Sequence, residues 1–175
     1  HTALDAAGLP SSARFALDLS LADLAARALG RTLPQALHPD PAVRLPLNGL
    51  LIGDRAAVVA RAERMAAAGT VAVKLKVGRG SLGDDLLMVR AVREALGADV
   101  ALRLDANRAW TEDEATAFAE AVAGFGLDYV EEPLRDPAGL PVLWLDTGLP
   151  IALDETVQEP AGAAAIQGWA EAVVL

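Results

Sequence analysis

The chain has 175 residues, 53% hydrophobic and only 4% aromatic, enough for a globular core built from Ala, Leu and Val rather than rings. Its formal charge of -9 argues against a nucleic-acid partner, because no basic stripe exists to neutralise phosphates. The lack of cysteine excludes disulfides and thiolate zinc sites; with no apolar run near the roughly 20 residues of a membrane span and no signal peptide, a cytoplasmic location is expected.

Ser11–Leu29 reads as an amphipathic helix whose apolar band is Phe15, Leu17, Leu21, Leu24, Ala25 and Ala28, ended by Gly30. A Pro-containing linker, Leu33–Pro41, follows. Residues 1–40 therefore look like the tail of a preceding module, packing on a second domain that spans 41–175. From about residue 43, strand-like and helix-like segments alternate. Arg44–Leu51 is extended, and Asp54 caps a helix through Ala68. Val71–Val77 is a strand, and Ser81 with Asp84 resembles a capping box for a helix ending at Gly97. Val100–Asp105 is the next strand, and Thr111 with Glu114 opens a helix to about Ala123. Tyr129–Glu131 is a strand, and Asp136-Pro137 starts a short helix. Ile151–Asp154 is a strand, Pro160 starts a helix, and Ala172–Leu175 begins a sixth strand.

Repeated βα units demand a parallel sheet. No Gly-x-Gly-x-x-Gly opens any helix, and charged residues end at least four consecutive strands. A barrel draws its site from every strand, whereas an open sheet concentrates it at one switch point. The expected fold is α/β: a partial TIM-type (β/α) barrel of about five βα units plus a sixth strand, preceded by a helix from the end of a capping domain.

Lys74 and Lys76 lie two apart, so they share a strand face, opposite Val71, Val73, Leu75 and Val77. Two neighbouring ammonium groups disfavour each other's charge, which pushes at least one towards neutrality and makes it a usable general base. Asp105 shares its face with Arg103 and Asn107, and Leu102 and Leu104 face the helices. Asp105, Glu131 and Asp154 recur after successive strands and could converge as three oxygen ligands, a donor set that Mg²⁺ prefers. Glu132 and Glu155, the adjacent residues, should point the other way. Trp110 reads as a packed loop residue, and Trp144 and Trp169 as helix core.

Together, Lys74-Leu-Lys76, Leu104-Asp105-Ala-Asn107, Val130-Glu131-Glu-Pro133 and Leu153-Asp154-Glu155 resemble the enolase superfamily, muconate-lactonizing subgroup. Arg103-Leu-Asp105-Ala-Asn-Arg-Ala-Trp110 is most similar to the o-succinylbenzoate synthases of menaquinone biosynthesis. The resemblance implies that Asp105, Glu131 and Asp154 hold Mg²⁺, with Mn²⁺ as an alternative. It further implies that Lys76 abstracts the proton alpha to a substrate carboxylate, that Lys74 adds electrostatic stabilisation, and that Arg103 contributes to the active site. Asn107, Glu132 and Glu155 would support the ligands from behind. The implied reaction is a lyase-type dehydration of a small carboxylate; N-acylamino acid racemase, dipeptide epimerase and muconate cycloisomerase are sister readings. No nucleic acid or membrane partner is implied, and the oligomeric state stays open. A complete barrel needs about 250 residues and eight strands. The chain is therefore expected to be part of a longer protein; the resemblance implies a second catalytic lysine just after Leu175, and an inactive barrel fragment is the remaining alternative.

Overall fold

The structure, a computed structural model, describes residues 8–158 and 168–174. It has two compact units, His1–Leu45 and Pro46–Leu175.

The first unit contains α1 (Ser11–Ala28) and α2 (Leu33–Leu37). The segment expected to be a linker is thus partly helical. Thr32 and Gln35 cap each other reciprocally, and Pro34 sits in the first turn, where its missing N–H costs nothing. The expected apolar band of α1 is not a buried face. Phe15, Leu17, Leu21, Leu24, Ala25 and Ala28 are all exposed, with Phe15 on the far side from the leucines by the 3.6-residue repeat, and the buried residue of the helix is Ala26.

In the second unit, β1 (Gly49–Leu51), α3 (Arg55–Ala67), β2 (Ala72–Lys76), α4 (Leu82–Leu96) and β3 (Ala101–Asp105) alternate. They are followed by α5 (Glu112–Val122), β4 (Leu127–Glu131), α6 (Leu140–Thr147), β5 (Ile151–Leu153) and β6 (Ala172–Val173). Short 3-10 turns occupy Pro137–Gly139 and Glu155–Gln158. The six strands form one sheet in chain order, and every neighbouring pair is parallel. An order that never reverses is the winding of a (β/α) barrel and leaves no switch point. The fold is a partial TIM-type barrel.

The helix starts are set by side-chain caps. Asp54, Ser81, Thr111 and Asp136 accept the backbone N–H of Ala57, Asp84, Glu114 and Ala138 at 3.0, 3.2, 3.3 and 3.0 Å, each cap contributing about 1 kcal/mol. β1 is shorter than the extended run Arg44–Leu51, since Pro46 has no N–H for a ladder. Val71 precedes β2 and is exposed instead of meeting the helices. The helix expected from Pro160 lies outside the described residues.

Between sheet and helices, Val73, Leu75, Leu102, Leu104, Val130, Ile151 and Leu153 meet Val58, Val89, Val92, Phe118 and Leu140. Phe118 is the largest fully buried side chain among the described residues, its ring centroid 4.3 Å from that of buried Trp110. Trp144 is not core, because α6 buries Leu140 and Leu143 and leaves the indole partly exposed. Trp169 lies in a turn, half-buried against the core. No helix among the described residues is long and apolar enough to cross a membrane.

One buried acid ties two of the loops together. Asp85, in the first turn of α4, accepts the Gly78 N–H at 2.9 Å and a hydrogen bond from the Trp110 side chain. Burial pushes its carboxyl above the ordinary 3.8, and these hydrogen bonds oppose the shift without cancelling it. A carboxyl raised on folding stabilises most below its unfolded value, and that stability is lost as pH climbs through the folded value. Asp85→Asn keeps an acceptor and removes the charge. We expect the stability of the native protein relative to this variant to fall with rising pH across the acid range, then level off. Urea titrations of both proteins between pH 3 and 7 check this; a difference that grows with pH contradicts it.

Candidate active site

Parallel pairing sets the charged strand ends in one row: Lys76 is the register partner of Asp105, and Asp105 of Glu131. With Val73, Leu75, Leu102, Leu104 and Val130 buried under the helices, strand alternation leaves Lys74, Lys76, Arg103, Asp105 and Glu131 on the inner face.

Asp105 and Glu131 are each 1% exposed, and carboxylates that deep require compensating charge. The lysines supply it. Lys74 Nζ donates to both Glu131 oxygens at 2.9 and 3.1 Å and lies 3.3 Å from Asp105 Oδ2. Lys76 Nζ donates to the same Asp105 oxygen at 2.5 Å and to Asn107 Oδ1 at 2.7 Å. The Asn107 backbone N–H donates to Asp105 Oδ1 at 3.2 Å. One aspartate therefore serves two ammonium groups.

The expected push towards neutrality does not act on Lys74. Burial acts to lower its pKa, but the hydrogen bond and charge of Glu131, with the charge of Asp105, outweigh burial and raise it. Sequence spacing revealed the lysine pair but not the carboxylates opposite. Burial also works against an ionised Asp105, yet Lys76 and then Lys74 hold its carboxyl below the ordinary value. Glu131 is pushed up, by burial first and by the adjacent Asp105 charge, despite Lys74.

Behind this row, Glu132 is fully buried. Its Oε1 accepts the backbone N–H groups of Asp154 and Thr156 at 2.9 and 2.8 Å. Its Oε2 accepts the Thr156 hydroxyl at 2.6 Å and Arg108 Nε at 3.3 Å. Arg108 Nη2 donates to Thr156 Oγ1 at 2.6 Å. Glu132 thus bonds to the loop after β5 and to Arg108, while Glu155 is partly exposed, with Arg108 Nε 3.9 Å from its Oε1. Asn107, Arg108 and Glu132 all have positive φ, at 46°, 59° and 43°, a conformation that costs non-glycine residues roughly 1–3 kcal/mol each and persists only where surrounding bonds enforce it.

Asp154 follows β5 directly. Among the described residues, no three Asp, Glu, His or Cys side chains gather as a group able to hold a metal ion. Asp105 and Glu131 turn their oxygens to Lys76 and Lys74. Their donor chemistry still fits Mg²⁺, because carboxylate oxygens suit a hard cation and these two already bridge one cationic centre, Lys74 Nζ. Arg103 stands one inward position below Asp105; its Nε is tied to Asp128 Oδ2 at 2.7 Å and its guanidinium lies 5.2 Å from the Tyr129 ring centroid. Arg108, Thr156 and Asp128 escape sequence reasoning, although Arg108 adjoins Asn107 and Thr156 adjoins Glu155.

Residues 57–168, well over half of the chain, match the family model described as enolase C-terminal domain-like. The chain belongs to that family. This enolase-superfamily chain is 40% identical over 94 residues to an o-succinylbenzoate synthase of Vibrio cholerae, covering 52% of this chain and 28% of that protein. The crystal structure of a muconate lactonizing enzyme from Klebsiella pneumoniae aligns over 89% of this chain and 44% of its own, at 33% identity and TM-score 0.76. A racemase from Streptomyces coelicolor A3(2), solved with bound magnesium, aligns over 63% of this chain and 32% of its own, at 37% identity and TM-score 0.57. The chain spans less than half the length of each of these relatives.

Proposed function

We propose that this domain carries the acid–base half of a Mg²⁺-dependent lyase that dehydrates a cyclohexadiene carboxylate to o-succinylbenzoate, a step of menaquinone biosynthesis. The supporting observation is the convergence of Lys74 and Lys76 on one buried carboxylate, Asp105, at the C-terminal ends of adjacent parallel strands. Asp105, Glu131 and Asp154 would hold the metal, with Mn²⁺ as a substitute. When bound, Mg²⁺ supplies electrostatic stabilisation for the negative charge that develops on the substrate carboxylate.

The chain's own residues do the rest. Lys76 Nζ, oriented by Asp105 and Asn107, takes the proton alpha to the carboxylate. The electron pair of that C–H bond becomes the new double bond as the C–O bond to the hydroxyl breaks. The departing hydroxide collects the proton from Lys76 and leaves as water. Lys74, charged and anchored on Glu131, adds positive potential beside the developing anion. The likeness to a racemase and to a muconate lactonizing enzyme favours a second reading, in which the same abstraction leads to epimerisation or cycloisomerisation.

Loss of the cyclohexadiene chromophore, racemisation of N-acylamino acids, epimerisation of dipeptides and cycloisomerisation of muconate, each followed with Mg²⁺ present, separate the readings. We expect dehydration to have the highest kcat/KM by at least about tenfold, the size of an ordinary specificity difference. Epimerisation or cycloisomerisation in first place would replace the lyase reading. Absence of all four activities would leave the barrel as an inactive scaffold.

A further inference from the structure

We propose that Glu132 is a positioning residue that sets where Asp154 stands at the rim of the site, by gathering the loop after β5 around its own carboxylate. The inference rests on the metal reading above. Glu132 follows a residue of the inner row, yet its side chain is fully buried and bonded to groups from two other strand ends. Its Oε1 accepts two amides two residues apart, those of Asp154 and Thr156. Such a loop is folded about an anion, as backbone nests are, except that here the anion belongs to the protein. Oε2 is held in turn by a directed chain: Arg108 Nη2 donates to Thr156 Oγ1, and that hydroxyl donates to Glu132. The carboxylate cannot swing without breaking this chain. The backbone from which the Asp154 side chain projects is therefore tied to the strand end that carries Glu131.

Two substitutions separate reach from charge. Glu132→Asp keeps the charge but shortens the arm by one methylene, so it cannot hold both amides. Glu132→Gln loses the charge but keeps an oxygen at full reach. The probe is Mn²⁺ alone, titrated by electron paramagnetic resonance on the 175-residue chain, with circular dichroism confirming the fold. We expect Glu132→Asp to bind Mn²⁺ about 10- to 100-fold more weakly, the usual effect of losing a residue that orients a metal ligand. We expect Glu132→Gln to lose less, about three- to tenfold, since its one oxygen still serves both amides while its NH₂ can no longer accept from the Thr156 hydroxyl or Arg108. Hydrogen exchange at the amides of Asp154 and Thr156 should quicken in the aspartate variant only.

Native-like affinity in a folded Glu132→Asp, or a loss in Glu132→Gln as large as in Glu132→Asp, overturns the proposal. If Glu132→Asp does not fold, Thr156→Ala decides, since it frees Oε2 and leaves both amides. A loss of about three- to tenfold in affinity supports the role, and an unchanged affinity overturns it. If the native chain itself binds no Mn²⁺, the metal reading fails and this proposal falls with it; if the native chain binds and the variants match it, only this proposal falls.

Discussion

Replacing Lys74 with methionine is expected to destabilise the protein by about 3 kcal/mol, the low end of what removing one partner of a buried ion pair costs. The size follows from what is left behind. Glu131 and Asp105 are each 1% exposed, and Lys74 Nζ lies within 3.3 Å of both. Lys76 reaches Asp105 and leaves Glu131 uncompensated. The ammonium itself keeps a fifth of its side chain in solvent, which places the loss below that of a fully buried pair. The double variant Lys74→Met/Glu131→Gln should recover more than half of the deficit, because it removes the stranded charge along with its partner. Chemical denaturation of the single variants and the double measures the coupling. A loss below about 0.5 kcal/mol for Lys74→Met would mean that the contact is an ordinary surface pair. Millimolar Mg²⁺ should raise the melting temperature of Lys74→Met more than that of the native protein, because a second cation can then take the place beside the two carboxylates.

The parts of this fold that could be read from sequence are those decided locally. Asp54, Ser81, Thr111 and Asp136 cap their helices through N–H groups two or three residues away, so short motifs sufficed. The inner face of β2 and β3 was legible because Lys74, Lys76, Arg103 and Asp105 break apolar runs with a period of two. Where local signals compete, the reading slipped. Thr32 and Gln35 form a capping box inside a segment whose prolines read as a linker, and the apolar residues Phe15, Leu17, Leu21, Leu24, Ala25 and Ala28 read as a packed face although all six are exposed. What lay beyond reach depends on which strand ends meet. The Lys74–Glu131 pair is separated by 57 residues and Arg108–Thr156 by 48. A lysine pair read alone suggests mutual repulsion; only the register that brings Asp105 and Glu131 opposite shows why the Lys74 ammonium is strengthened. Glu132 could be placed off the inner row by alternation, but neither its two captured amides nor the left-handed backbone that delivers it has a local signature.

Substituting Lys76 with arginine separates the two jobs that a lysine can do in this site, holding charge and moving a proton. Arginine keeps the positive charge and can donate to Asp105 Oδ2 and Asn107 Oδ1, the present partners of Lys76 Nζ. It does not release its proton in proteins, so it cannot act as a base. We expect Lys76→Arg to fold, to hold Mn²⁺ near native affinity, and to lose about 10²- to 10⁴-fold in kcat/KM, the range that a positioned general base supplies. Lys74→Arg is the counterpart. Its lysine is anchored on both Glu131 oxygens, a geometry that a guanidinium fork can match. If Lys74 works only through charge, that variant should keep at least about tenfold more activity than Lys76→Arg. Turnover by Lys76→Arg within tenfold of the native enzyme would remove Lys76 as the base. Loss in Lys74→Arg alone would move that role two residues back along β2, to Lys74 itself.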